Sequence, residues 1–300
     1  MEKLDIQVCP LCGKTHFNKL LTCKDHYATG ETFDIYQCND CGFKFTQNFP
    51  VESEIGRYYD TSDYISHSDT RKGLMNKVYH NVRSIMLNKK RNLICRYTHK
   101  QQGALLDIGT GTGYFINKMH QAGWNVEAVE KNADARKFAQ DNFGLTVHED
   151  IFLATCKDKS FDAITLWHVM EHLQKINEVW DVLNRLLKDD GLLFIAVPNS
   201  ESADAAFYGQ YWAAYDVPRH LWHFTPETMR AFGKKHRFEL VEMLPMPFDA
   251  FYVSMLSEKY KGKESSFLSG GVRGALCGLK TTSDKTKSSS ITYIFKKKNE

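Results

Sequence analysis

Four cysteines in two Cys-x2-Cys pairs, Cys9-Pro-Leu-Cys12-Gly and Cys38-Asn-Asp-Cys41-Gly, carry the plainest chemistry in the chain. Each pair can close a turn whose amides point at the sulfurs, with Gly13 and Gly42 supplying the open φ such a knuckle needs. Together Cys9, Cys12, Cys38 and Cys41 offer four thiolates to one tetrahedral ion, and zinc suits that set. Four thiolates close the coordination sphere, so the expected job is structural. Cys23 lies outside the pattern. A second cluster is Gly103-Ala-Leu-Leu-Asp-Ile-Gly-Thr-Gly-Thr-Gly-Tyr-Phe115, an apolar run ending in three alternate glycines. Without Cβ atoms at Gly109, Gly111 and Gly113 a nucleotide-like ligand can lie against the backbone. A third group is His172, His220 and His223, since imidazole titrates near neutrality and can take a proton from a reacting group.

These residues need a frame. Ala104 to Ile108 reads as a strand, the glycines as a tight turn, and an apolar-periodic helix starts near Tyr114. Trp124-Asn-Val-Glu-Ala-Val-Glu130 reads as a second strand ending in an acid that can accept both hydroxyls of a ribose. The dinucleotide fingerprint G-x-G-x-x-G places its third glycine in the helix, whereas Asp107 opens an Asp-x-Gly-x-Gly-x-Gly pattern here. A nicotinamide dehydrogenase is the remaining alternative for this turn. The pattern resembles the class I S-adenosylmethionine (SAM)-dependent methyltransferases, whose first motif reads as Leu106-Asp-Ile-Gly-Thr-Gly-Thr-Gly113 does. The resemblance implies a doubly wound, seven-stranded, Rossmann-like α/β sheet, SAM as cofactor and S-adenosylhomocysteine as product. It implies cofactor contacts at Asp107, Gly109, Thr110, Gly111, Gly113, Phe115, Glu130 and Lys131. It extends to Asp150 at a third strand end, as partner of the adenine amine, and to Ile151 beside the ring.

Strand and helix then alternate as in a parallel doubly wound sheet. A helix is expected over 133–142, a short strand over Leu145–His148, and a fourth strand, Phe161–Trp167, that delivers Trp167 and His168 to the cofactor side. His168, Glu171 and His172 also match H-x-x-E-H, but a metalloprotease needs that motif on one continuous helix, and this one opens at a strand end. The Glu171-His172 pair resembles the same segment of ubiquinone-pathway O-methyltransferases. A fifth strand, Gly191–Asn199, precedes an aromatic and histidine-rich insertion over 200–225. That insertion is read chiefly as an acceptor loop and otherwise as packing against the cysteine module. Its Trp-to-Pro-Arg-His-Leu stretch resembles a branch of methyltransferases many of which are found near sugar and cell-envelope genes. Thr225 and Pro226 open a further helix. Phe238–Leu244 is a sixth strand, and Ser290–Lys296 the antiparallel strand that closes the sheet. The expected organisation is a zinc ribbon over 1–50, a helical linker or lid over 51–100 with Tyr58, Tyr59, Tyr64 and His67, and the methyltransferase domain over 101–300. Residues 261–289, rich in glycine, serine and lysine, read as a mobile segment.

Three hundred residues with 42% hydrophobic and 25% charged content make an ordinary globular composition, which excludes disordered and collagen-like classes. A net charge of +3 gives no strong nucleic-acid field, so nucleic acid is an unlikely partner. No run of about 18 apolar residues exists for a membrane span, and the polar start Met-Glu-Lys-Leu-Asp suggests a cytoplasmic chain. The leading expectation is methyl transfer to a small-molecule acceptor, a sugar, cell-envelope or secondary-metabolite precursor. An rRNA or tRNA methyltransferase using the ribbon for RNA and a non-catalytic SAM-binding protein are the alternatives.

Overall fold

The computed structural model describes residues 3–59, 74–262 and 266–298; the expected lid residues Tyr64 and His67 lie outside them. In chain order the strands are β1 (Lys3–Leu4), β2 (Phe17–Lys24), β3 (Thr32–Cys38), β4 (Lys44–Gln47), β5 (Phe49–Pro50), β6 (Ala104–Ile108), β7 (Asn125–Val129), β8 (Phe161–Trp167), β9 (Leu187–Pro198), β10 (Trp222–His223), β11 (Phe238–Pro245) and β12 (Ser290–Lys297). The helices are α1 (Leu74–Thr98), α2 (Tyr114–Gln121), α3 (Ala133–Phe143), α4 (Phe152–Thr155), α5 (Ile176–Leu186), α6 (Ala203–Tyr208), α7 (Pro226–Lys235), α8 (Asp249–Tyr260) and α9 (Ser266–Ser283). Local chemistry sets several of these ends. Asn132 accepts from the Ala135 amide at the start of α3, and left-handed Gly144 ends that helix. Thr225 and Thr228 form a reciprocal capping box at the start of α7, with Pro226 at the first helical position.

By its internal contacts the chain divides into two units. One comprises Met1–Thr61, His168–Val179 and Ala196–Tyr293; the other comprises Ser62–Trp167, Trp180–Ile195 and Ile294–Glu300. The second unit carries the glycine turn, with β6 parallel to β7 on one side and to β8 on the other. The mixed sheet to which these strands belong has six strands in the order β11-β12-β9-β8-β6-β7. β8 is buried along nearly its whole length, as a central parallel strand must be. The short third strand expected over Leu145–His148 shrinks to a single parallel bridge between Val129 and His148. His148 bonds the neighbouring strand, its amide donating to Ala128 O at 2.8 Å and its carbonyl accepting from the Glu130 amide at 2.9 Å.

The first unit is built on an antiparallel sheet in the order β10-β4-β3-β2 and a short β1-β5 ribbon. The insertion over 200–225 departs from the loop reading. Trp212, Tyr215, Val217, Leu221, Trp222 and Phe224 are at most 5% exposed, and Trp212, Tyr215 and Val217 share a core with Cys23, Phe33, Ile35 and Tyr58. A small sheet has no core of its own, so its apolar face takes the aromatics of the insertion as its cover. Residues 266–283 likewise form a helix instead of a mobile loop. Among the described residues, no helix is long and apolar enough to cross a membrane.

Candidate functional site

In the second unit the strand β6 ends at Ile108 and the chain turns through Gly109, Gly111 and Gly113, whose φ values of +70°, +57° and +81° few side chains tolerate. A Cβ on Gly113 would stand 2.8 Å from the Cβ of Ala139, so that glycine lets α3 approach; a Cβ on Gly111 would meet nothing within 4 Å among the described residues. The Gly111 position is therefore open to an incoming molecule. Beneath the turn Asp107 is 2% exposed and accepts from the Thr165 hydroxyl at 2.5 Å; burial pushes its carboxyl up to about 6. Glu130, just past β7, accepts from the Gly111 amide at 2.8 Å and from the Asn132 amide at 2.9 Å. Lys131 beside it is exposed, as are Asp150 and Ile151. Ile151 is 78% exposed, a large apolar side chain left bare by the described residues. Trp167 packs edge-on against the buried Phe115, and its buried Nε1 has no hydrogen-bond partner among the described residues. Lys90 sits 4.3 Å from the Trp167 ring centroid, although its place in a run of charges reads as a solvated helix face. Neither Lys90 nor Thr165 carries a sequence signal that sets it apart from its neighbours. The open glycine turn, the strand-end acid, the bare apolar side chain and the orphaned indole fit an adenosyl ligand.

In the first unit the four cysteines meet. Cys9 Sγ lies 3.6 Å from Cys41 Sγ and Cys12 Sγ 3.5 Å from Cys38 Sγ, and all four sulfurs fall within 4.8 Å of one another. Four thiolates around a tetrahedral zinc at about 2.3 Å stand about 3.8 Å apart, so the set fits that ion. Gly13 and Gly42 have φ values of +75° and +73° and donate to the carbonyls of Cys9 and Cys38 at 2.9 Å, closing the two knuckles. Burial pushes the Cys9 thiol up to about 11, a cost that a bound cation would reverse.

The same unit gathers His168, Glu171, His172, His220 and His223. His168 has a left-handed φ of +59°, and its Nε2 stands 3.1 Å from Asp249 and its Nδ1 3.5 Å from Glu171. Against the desolvation that burial brings, these two carboxylates carry His168 up to about 10. Glu171 is fully buried, and the carboxyl is held low against its own desolvation by the imidazoles of His168, His220 and His172. The ligand atoms of Glu171, His172 and His220 lie within 4.8 Å of one another, and the two imidazoles stack edge-on at 4.6 Å. His172 Nδ1 stands 3.0 Å from Arg219 O and 3.0 Å from the Tyr59 hydroxyl; a carbonyl only accepts, so the contact with Arg219 O calls for the proton on Nδ1, with the Tyr59 oxygen as a second acceptor. His220 does likewise, donating from Nδ1 to Ala214 O at 2.8 Å. Burial and the neighbouring His220 push His172 down to about 4. His223 is buried among aromatics, its Nε2 3.0 Å from the Thr46 hydroxyl, and burial holds it well below the usual imidazole range.

A family model described as a methyltransferase domain matches residues 80–243, more than half of the chain. The chain belongs to this methyltransferase domain family. Over 107 residues it is 33% identical to a ubiquinone biosynthesis O-methyltransferase of Haemophilus ducreyi, covering 32% of this chain and 45% of that one. Over 108 residues it is 29% identical to an uncharacterized methyltransferase of Alkaliphilus oremlandii, covering 35% and 50%. The chain thus spans about half the length of these curated relatives. Among solved structures, a geranyl diphosphate C-methyltransferase of Streptomyces coelicolor superposes with a TM-score of 0.51 at 13% identity, over 79% of this chain and 86% of that one. At that identity the likeness concerns the fold alone.

Proposed function

We propose that this chain transfers a methyl group from SAM to a small-molecule acceptor, a sugar, cell-envelope or secondary-metabolite precursor, and that Cys9, Cys12, Cys38 and Cys41 hold a structural zinc. The observation that carries the cofactor assignment is the open position at Gly111 beside the strand-end carboxylate of Glu130. In this reading Gly109, Thr110, Gly111 and Gly113 form the cradle, Asp107 supports it, and Glu130 and Lys131 take the ribose side. Asp150 and Ile151 take the adenine, and Phe115 and Trp167 complete the wall. The sulfonium supplies the leaving group, so the chain's own residues have to align the acceptor and keep water out, worth roughly 7–11 kcal/mol of barrier. His172 and His220 are the candidate bases, because each engages a backbone carbonyl through Nδ1 and keeps Nε2 out of that bond; His223 reads as structural, with its Nε2 committed to Thr46.

The test is calorimetry with SAM and S-adenosylhomocysteine on the full chain, with zinc content measured in parallel. Asp107→Ala and Glu130→Ala should each weaken binding at least tenfold while one zinc per chain is kept. Unchanged affinity in both variants overturns the cofactor assignment. Methyl release onto RNA transcripts but onto no nucleotide sugar or extracted small molecule overturns the acceptor class.

A further inference from the structure

The segment Arg219–His223 is clamped by the cysteine-bearing sheet at nearly every residue. Thr46, fully buried on β4, donates its hydroxyl proton to His220 O at 2.7 Å and accepts from His223 Nε2 at 3.0 Å. Its amide donates to Leu221 O at 2.9 Å, and β4 and β10 pair through Phe45 with Trp222 and Lys44 with His223. Arg219, 4% exposed, donates to Asp25 at 3.0 Å, to Asp216 at 2.6 Å and to Tyr58 O at 2.7 Å. Asp25 in turn accepts from the amides of Tyr27, Ala28 and Thr29, the turn between β2 and β3. On its other side the same segment grips the residues of interest. Arg219 O takes the Nδ1 proton of His172, the Leu221 amide donates to Glu171 O at 2.8 Å, and the Trp222 indole donates to Leu173 O at 2.7 Å.

We infer that the four-cysteine sheet serves to position the His172–His220 pair, with Thr46 and the Asp25–Arg219 ion pair as the positioning residues that transmit its shape. The sheet's contacts fall on the carbonyl of His220 and on the residue whose carbonyl fixes the His172 tautomer. Both imidazoles are thereby held with Nδ1 against a backbone carbonyl, the orientation that leaves Nε2 for a base or a ligand-binding role. A module that recognised a separate partner would not have to bury its central threonine against this segment. The inference rests on the zinc assignment proposed above for the integrity of the sheet. It also says what the zinc is for, since chelation should release the two histidines without touching the glycine turn.

Nitrogen NMR of selectively labelled histidine reads the tautomers directly and needs neither cofactor nor acceptor. The full-length protein should show Nδ1–H at His172 and His220 and Nε2–H at His223. Thr46→Val should mix the tautomers at His220 and His223, Thr46→Ser should restore them, and stripping zinc with a chelator should mix all three. Asp25→Asn, which leaves every cysteine in place, should disturb His172. S-adenosylhomocysteine affinity should change less than twofold in Thr46→Val, which separates a failure here from a failure of the cofactor reading. Tautomers that stay as in the parent in Thr46→Val and in Asp25→Asn, or in the zinc-free protein, overturn the inference.

Discussion

Alanine at Gly111 and at Gly113 should separate two reasons for glycine within one turn. Both have left-handed backbone, at +57° and +81°, so either alanine costs about 1–2 kcal/mol of strain. They part in what the new methyl meets. At Gly113 it would stand 2.8 Å from Ala139 Cβ, an overpacking that adds about 1–3 kcal/mol and brings the loss to about 2–5 kcal/mol. At Gly111 no atom of the described residues lies within 4 Å, so strain is the whole cost. At about 2–4 °C per kcal/mol for a chain of this size, Gly113→Ala should melt roughly 4–20 °C lower and Gly111→Ala roughly 2–8 °C lower. Ligand binding should rank them the other way. If the adenosyl compound lies on the turn, the Gly111 methyl occupies its space. A clash of about 1–3 kcal/mol raises the Kd for S-adenosylhomocysteine about 5- to 150-fold. Differential scanning calorimetry and isothermal titration on both variants read the two effects. Gly111→Ala binding as tightly as the parent chain would show that the ligand does not use this turn.

Three further outcomes follow from the geometry. Because burial lifts Asp107 to about 6, its folded form holds a proton that the unfolded chain gives up near 3.8. Its contribution is therefore full at low pH and is lost, by about 3 kcal/mol, as pH rises from 4 to 6. Affinity for cationic SAM should run opposite, weakening toward tenfold per pH unit below about 6, and Asp107→Asn should abolish both trends in pH-stepped titrations. If the four cysteines hold one zinc, intact-protein mass spectrometry should show it in the parent chain and not in Cys38→Ala, whose sheet should unfold with it. Cys23→Ser should keep the metal, for that thiol is 2% exposed in the core and pushed up to about 12 by burial. Arg219→Ala strands the carboxylates of Asp25 and Asp216, a loss of about 3–5 kcal/mol measurable by urea unfolding; a Lys at that position should recover only part of it, lacking the fork that spans both acids.

What the sequence discloses depends on whether burial leaves a periodic trace. β8 is mostly apolar and bounded by turn residues, and α3 lies between an asparagine cap and a glycine stop, so both are legible to within a residue. β2 is buried at only one of its eight positions and shows no alternation to read. The insertion over 200–225 is legible as unusual and not as core, because an aromatic cluster looks the same whether it lines a cleft or covers a sheet. The glycines of 266–283 suggest mobility, yet Gly270 and Gly274 are packing residues. A Cβ on the first would stand 2.6 Å from Met255 Cα, and on the second 2.7 Å from Phe251 Cα, both on α8. Their spacing of four places both on one face of α9, where the two backbones meet. In the candidate site, the cysteine set and the glycine turn are visible because their chemistry is local in sequence. The grouping of Glu171 with His220, the bond of Thr46 to His220 O and the ion pair of Asp25 with Arg219 join residues nearly fifty or more apart and leave no local mark.

Two of the imidazoles around Glu171, His168 and His172, are tuned apart. Between Asp249 and Glu171, His168 stays protonated through neutrality at about 10, so it answers the buried charge of Glu171 and has no lone pair to offer a proton. His172, forced down to about 4 by burial and by its neighbour His220, is neutral at the same pH and keeps its Nε2 bare. Groups whose environments push their titrations in opposite directions divide into a charge carrier and an acceptor. An imidazole held near 4 is nevertheless a weak base, and proton removal contributes in proportion to basicity. If the proposed methyl transfer uses this pair, it leans on alignment of the acceptor and exclusion of water more than on the base. That is consistent with a unit whose sheet, insertion and ion pair all converge on holding two side chains still.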